Sequence, residues 1–175
     1  FLKNESDDND LKNKLAKIID QFTASANEVR QISHQMMPRS LMENGLIEAI
    51  EDLLKNSFDL SSVNYSFEHS LIQKRFDEKI EISVYRVLQE LINNCIKHSK
   101  ASEVTIQLME IKNKLILLVE DNGIGLNNSV NTTDGYGFLN IKNRIDIISG
   151  KINIEPSPES GLLARVSIPL KKQSI

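Results

Sequence analysis

Glutamate, asparagine and lysine stand at positions 90, 94 and 97, inside the run QELINNCIKHS. Read as a helix, the three share an arc of roughly 60°. An amide oxygen such as that of Asn94 suits a hard cation such as Mg2+. The Lys97 ammonium suits phosphate oxygens. A carboxylate one turn away, Glu90, can orient water or take a proton. A solvated helix face would also use such residues, yet Asn93 and Asn94 are poor helix formers to place in mid-helix. His98 follows at once. It is either a helix-end residue in favourable contact with the helix dipole or a phosphate contact.

A second group lies in EDNGIGLNNSVNTTDGYGFLNIKNR, residues 120–144. Asp121 ends an apolar strand-like run. It either makes a turn with Asn122-Gly123 or, as an acceptor-only carboxylate, receives the exocyclic amino group of adenine. Gly123 and Gly125 would let the backbone approach a flat base. Gly135 and Gly137 open a helix, whose free amides favour a phosphate. A lone GxG is weak, and neither a Walker loop nor a dinucleotide fingerprint is present. The order is the stronger signal: a Glu/Asn/Lys helix, then Asp-x-Gly-x-Gly, a polar gap, and Gly-x-Gly opening a helix.

These residues need elements to hold them. Leu11 to Met36 has apolar residues three or four apart and predicts a long one-sided helix, ended by Pro38. It serves either a core or a dimer seam. A second helix is expected from about Glu43 to Phe58 and a third from Phe76 to about Lys97. Strands are expected at Val63–Phe67, Ser102–Ile111 and Leu115–Glu120, with Asn113-Lys114 as a tight turn. A helix from about Phe138 to Ser149 and closing strands Lys151–Glu155 and Leu162–Leu170 complete the chain. Strands joined by tight turns, with intervening helices, predict a two-layer α/β sandwich on a mixed, mostly antiparallel sheet, its helices on one face. The spacing does not fit a doubly wound fold.

Composition narrows the class. The 175 residues carry 40% hydrophobic and 26% charged residues and a net charge of −3. That balance shows no nucleic-acid footprint. The single cysteine, Cys95, excludes an internal disulfide and a cysteine-based metal site. No apolar run approaches the about 20 residues of a membrane-spanning helix, so no membrane contact is expected of this chain. It begins with Phe1, and a fragment of a longer protein is expected.

The ordered motifs resemble those of the ATP-binding domain of sensor histidine kinases, in the superfamily shared with gyrase B, MutL and Hsp-type chaperones. QELINNCIKHS resembles the asparagine box of that family, DNGIGL its first glycine box and GYGFLNIKNRI its second. The resemblance covers about residues 43–170. EVRQISHQMMPRSLMENGLIEAIEDL, VYRVLQELINN and GFLNIKNRI are similar to the class whose partners are LuxR-type response regulators. It implies residues 1–42 as the C-terminal part of a helical dimerisation and phosphotransfer region, and 43–175 as the catalytic domain. It also implies Mg-ATP as ligand, with Asn94 on the metal and Glu90 polarising the reacting groups. Lys97 and His98 would lie near the phosphates, Asp121 would hold the adenine amino group, and Gly123, Gly125, Gly135 and Gly137 would shape pocket and lid. The short linker Leu126–Asp134 implies a small lid. Two positions depart from the family: Leu162 follows Gly161 where threonine is usual, and Phe138 replaces leucine.

Such a kinase phosphorylates a histidine on its own dimerisation helix, for relay to a response-regulator aspartate. His34 resembles an acceptor only superficially. A second helix must return before the catalytic domain, and the one that fits is short and interrupted by Pro38 and Gly45. The acceptor is therefore expected upstream of Phe1. The resemblance further implies a homodimer through upstream helices and a cytoplasmic domain, with any membrane anchor upstream. An anti-sigma-like serine kinase and a non-catalytic nucleotide-binding dimerisation module remain alternatives for the same pocket.

Overall fold

In the computed structural model, residues 14, 18–19, 38–59, 61–72, 75–125, 136–158 and 160–170 are described. The long helix expected over Leu11–Met36, His34, the lid Leu126–Asp134 and Gly135 lie outside them, apart from positions 14, 18 and 19. One compact unit begins at Arg39. Among the described residues, no helix is long and apolar enough to cross a membrane.

The unit is built on five strands: β1 (Asn64–Ser70), β2 (Glu103–Ile111), β3 (Lys114–Asp121), β4 (Lys151–Pro156) and β5 (Leu162–Pro169). Their order across the sheet is β1-β2-β3-β5-β4. Only β1 and β2 run parallel, and a helix bridges them, because a parallel pair cannot be joined by a tight turn. The remaining pairs are antiparallel. Side chains alternate between faces. Val104, Ile106 and Leu108, then Leu115, Leu117 and Val119, then Ala164, Val166 and Ile168, are all buried on one face. Thr105, Gln107, Ile116 and Leu118 on the other face are only partly covered. Helices on one face of a mixed sheet give the expected two-layer sandwich.

The helices are α1 (Arg39–Glu43), α2 (Leu46–Phe58), α3 (Glu78–Asn94) and α4 (Tyr136–Ile147). The single helix expected from Glu43 is in fact interrupted. Gly45 has φ 96°, a conformation that costs glycine little, and α2 starts at the next residue. Leu46, Ala49, Ile50, Leu53 and Leu54 recur on one face of α2 and are all buried. Asp77 caps α3 by accepting from the Lys79 amide at 2.9 Å. Val84, Val87, Leu88, Leu91 and Ile92 form its buried side. The β2–β3 turn is Lys112-Asn113 rather than Asn113-Lys114. Both residues have positive φ, 48° and 63°, as a two-residue hairpin loop of the primed kind needs, and Lys114 already belongs to β3.

One charged residue lies in the core at the start of α3. Glu81 is fully buried. It accepts from Arg75 Nε at 3.1 Å, Arg75 Nη2 at 3.0 Å and the Phe76 amide at 2.8 Å. The fork of hydrogen bonds ties the chain entering α3 to the helix's first turn. Truncating Arg75 leaves a buried carboxylate without its counter-charge. Arg75→Ala should lower the unfolding free energy by roughly 2 kcal/mol, less than the about 3–5 for a fully buried pair because the guanidinium is half exposed. Urea unfolding at neutral pH checks this, and an unchanged midpoint would contradict it.

Candidate functional site

Strand alternation sets the site. The period that buries Leu115, Leu117 and Val119 brings Asp121, the last residue of β3, onto the same face. Asp121 is 4% exposed. Its neighbours in the sheet are Val104 on β2 and Leu162 on β5. Its Oδ1 accepts from the Gly123 amide at 2.9 Å, and its Oδ2 receives the Cys95 thiol at 3.7 Å. Burial pushes its pKa up from the ordinary 3.8, and the Glu120 charge adds to that. The amides of Gly123 and Leu162 and the Cys95 thiol pull it partly back. Cys95, buried beside this charge and donating to it, is pushed up to about 12, first by burial and then by Asp121.

The end of α3 meets this strand end. Beyond Asn94 the helix widens into a π-helical segment, Cys95–Ser99, closed by Lys100 in the left-handed conformation. Such segments occur frequently at functional sites. Ser99 Oγ donates to the Cys95 carbonyl at 2.7 Å and accepts from the Ala101 amide at 3.0 Å. The Ser99 carbonyl accepts from the Ile124 amide at 2.8 Å. A β-carbon on Gly123 would stand inside contact distance of that carbonyl and 2.9 Å from Asp121 Oδ1. Gly161 closes the other side. Its φ is 88°, and a β-carbon there would lie 2.6 Å from the Gly123 amide nitrogen. Gly125, φ 65°, faces the Gly161 carbonyl, where a β-carbon would come within 2.9 Å. The glycines therefore let three backbone segments close around the Asp121 carboxylate.

Glu90 and Asn94, both half-buried, keep their α-helical spacing on α3. Lys97 and His98, both exposed, lie in the π-helical segment. The arc of roughly 60° drawn for Glu90, Asn94 and Lys97 assumed one regular helix. The wider turn after Asn94 breaks that register before Lys97. Glu90 meets α4: a β-carbon on Gly137 would lie 2.5 Å from Glu90 Oε1. A carboxylate beside the first turn of α4 is a favourable dipole contact. It also brings the asparagine-bearing helix against Gly137 of the second glycine cluster.

Sequence reasoning did not single out Cys95 or Ser99 as parts of the site. Cys95 reads as one more residue of the apolar stripe. Gly161 reads from the sequence as part of the turn with Pro156 and Pro158 and as the neighbour of Leu162, whose main chain meets Asp121. A glycine just before a strand, in the same turn as two prolines, is the signal the sequence offers for it.

The donor set fits an adenine nucleotide. An ionised carboxylate offers about four lone-pair sites. The amides of Gly123 and Leu162 and the Cys95 thiol engage Asp121, leaving room for one further donor such as an exocyclic amino group. Among the described residues, no group of three or more His, Cys, Asp or Glu side chains could hold a metal. A cation here would take few protein ligands and most of its oxygens from phosphate and water, as Mg2+ prefers. Asn94, at the end of α3, is the side chain with suitable chemistry.

Residues 79–172 match the family described as histidine kinase-, DNA gyrase B-, and HSP90-like ATPase. Sensor histidine kinase ComP of Bacillus subtilis (strain 168) is 28% identical over 172 residues, 95% of this chain and 22% of ComP. The signal transduction histidine-protein kinase/phosphatase DegS of Brevibacillus brevis is 30% identical over 147 residues, 84% of this chain and 38% of DegS. The chain thus spans well under half the length of these two relatives. Among solved structures, the histidine kinase AdeS of Acinetobacter baumannii superposes with a TM-score of 0.64 at 19% identity, over 90% of this chain and 84% of that one. The catalytic domain of histidine kinase ThkA gives 0.57 at 19% identity, over 73% and 92%. At these identities the structural likeness speaks for the fold.

The Asp121 carboxyl gives the site a pH signature. Its folded pKa is raised, so its contribution to stability is full below the unfolded value and is lost as pH rises through the folded one. Asp121→Asn removes this dependence. In urea titrations, the stability of Asp121→Asn relative to wild type should therefore improve as pH rises from about 4 towards neutrality. A difference that stays flat with pH would contradict the burial of this charge.

Proposed function

The chain belongs to the histidine kinase-, DNA gyrase B-, and HSP90-like ATPase family, and on that premise we propose that it is the Mg-ATP-binding catalytic domain of a two-component sensor histidine kinase. The carrying observation is the buried Asp121 carboxylate, enclosed by Gly123 and Gly161 and joined to the end of the helix that bears Glu90 and Asn94. Similarity to ComP and DegS along most of the chain supports the kinase reading.

In this reading Asp121 accepts the adenine amino group, and Gly123, Gly125 and Gly161 bring main chain against the base. Asn94 supplies the protein ligand to Mg2+. Lys97 and His98, exposed beyond Asn94, reach towards the phosphates. Gly137, in the first turn of α4, offers its amide, and Gly135 is assigned the same role from its place in the sequence motif. Glu90, facing that helix start, orients the reacting groups. Bound Mg-ATP supplies an activated γ-phosphoryl group, and the residues above contribute position and charge neutralisation, which is most of what phosphoryl transfer needs. Residues 1–42 form the end of a dimerisation region in this account. The acceptor histidine lies outside residues 1–175, and the phosphoryl group passes on to a LuxR-type response regulator. His69 on β1 lies on an edge strand and has no part in this arrangement.

Two measurements test this. Calorimetry should show ADP binding in the presence of Mg2+ and its loss in Asp121→Ala, by tenfold or more, since a hydrogen bond to a charged group is worth about 1.5–3 kcal/mol. Equal binding by both proteins would overturn the assignment of Asp121. Mixed with a dimerisation domain carrying an acceptor histidine and with labelled ATP, the chain should produce acid-labile phosphohistidine. Acid-stable label on serine would instead identify a serine kinase, and nucleotide binding without any transfer a non-catalytic module.

A further inference from the structure

We propose that Cys95 is a positioning residue for base recognition, its thiol donating to Asp121 Oδ2 and fixing the plane of the carboxylate that meets the adenine amino group. The proposal rests on the nucleotide reading above. The two oxygens of Asp121 are held from different directions: Oδ1 by the Gly123 amide of the following loop, Oδ2 by the thiol at the end of α3. Rotation about the terminal bond of an aspartate is otherwise soft and roughly two-fold. One contact on each oxygen removes that freedom, and a carboxylate pre-set in one plane loses less entropy when a base arrives.

The thiol is suited to the task. Cys95 is 7% exposed, so water does not compete for its proton. A thiol carries its proton at neutral pH and can therefore donate to the carboxylate. The other groups acting on Asp121 are the Glu120 carboxylate, beside it on β3, and the amides of Gly123 and Leu162. Glu120 receives the Ser157 hydroxyl. Regular α-helical spacing carries the thiol here, on the buried stripe of Val84, Leu88 and Leu91, and the π-helical segment follows. That segment starts at Cys95, and the Ser99 hydroxyl donates back to the Cys95 carbonyl.

Cys95 is the only cysteine in the chain, so the S–H stretching band in a Raman spectrum reports this thiol alone. In wild type it should lie at the frequency of a hydrogen-bonded thiol and move towards that of a free thiol in Asp121→Ala, or less far in Asp121→Asn should the alanine variant not fold. Calorimetry then compares ADP with the diphosphate of purine riboside, which lacks the 6-amino group. Cys95→Ala should weaken ADP by about 3- to 10-fold, the range of one modest hydrogen bond, and leave the analogue unchanged. Cys95→Ser should recover most of the ADP affinity. An S–H band unmoved by substitution of Asp121, or an equal loss for both nucleotides in Cys95→Ala, would overturn the proposal. If wild type binds ADP and Cys95→Ala binds it equally well, this inference fails and the nucleotide reading stands. A wild type that binds no ADP sinks both.

Discussion

A carboxylate buried at the end of a central strand is the constraint around which the rest of this domain is arranged. Burying an ion is costly unless donors surround it. Asp121 has them from three places: the loop after β3, the start of β5 and the end of α3. Two of these donors are main-chain amides, and they reach the carboxylate only where the main chain comes close. Gly123 and Gly161 permit that approach, since a side chain at either would collide with backbone. The same closure joins α3 to the sheet edge through the Ser99 carbonyl and the Ile124 amide. The helix carrying Glu90 and Asn94 is thereby set relative to the carboxylate, which the Cys95 thiol at its end also contacts.

The balance of forces at Asp121 favours function over stability. Burial outweighs the three donors, and the carboxyl remains harder to ionise than in water. A core built for stability alone would place another leucine or valine here, continuing the run Leu115, Leu117, Val119. A fourth donor from a ligand would relieve part of this cost, so binding and ionisation of Asp121 should reinforce each other.

Much of this was legible in the chain. The alternation in β2, β3 and β5 foretold the sheet, and the order of the motifs pointed to the strand end where Asp121, Gly123 and Gly125 lie. Three features were not legible, for physical reasons. The break at Gly45 is a matter of backbone conformation that a helical apolar pattern hides. The π-helical segment Cys95–Ser99 is a local widening that apolar periodicity does not register, and Lys97 lies in it rather than on a regular helix. The Cys95–Asp121 contact joins residues far apart in sequence, and cysteine on an apolar stripe looks like packing. The lid and the helix of residues 11–36 fall outside the described residues, so those expectations stay where the sequence left them.

The family brings an adenine-nucleotide pocket, while the full kinase reaction needs partners that this length of chain does not supply in the present account. In the proposed complex the base lies beside Asp121. Amide NMR during titration with Mg-ADP tests it most directly. Saturable shifts should concentrate at Gly123, Ile124, Gly161 and Leu162 and at the Cys95–Ser99 segment, and leave the Lys112-Asn113 turn unmoved. Shifts centred elsewhere on the sheet, or none that saturate, would contradict it.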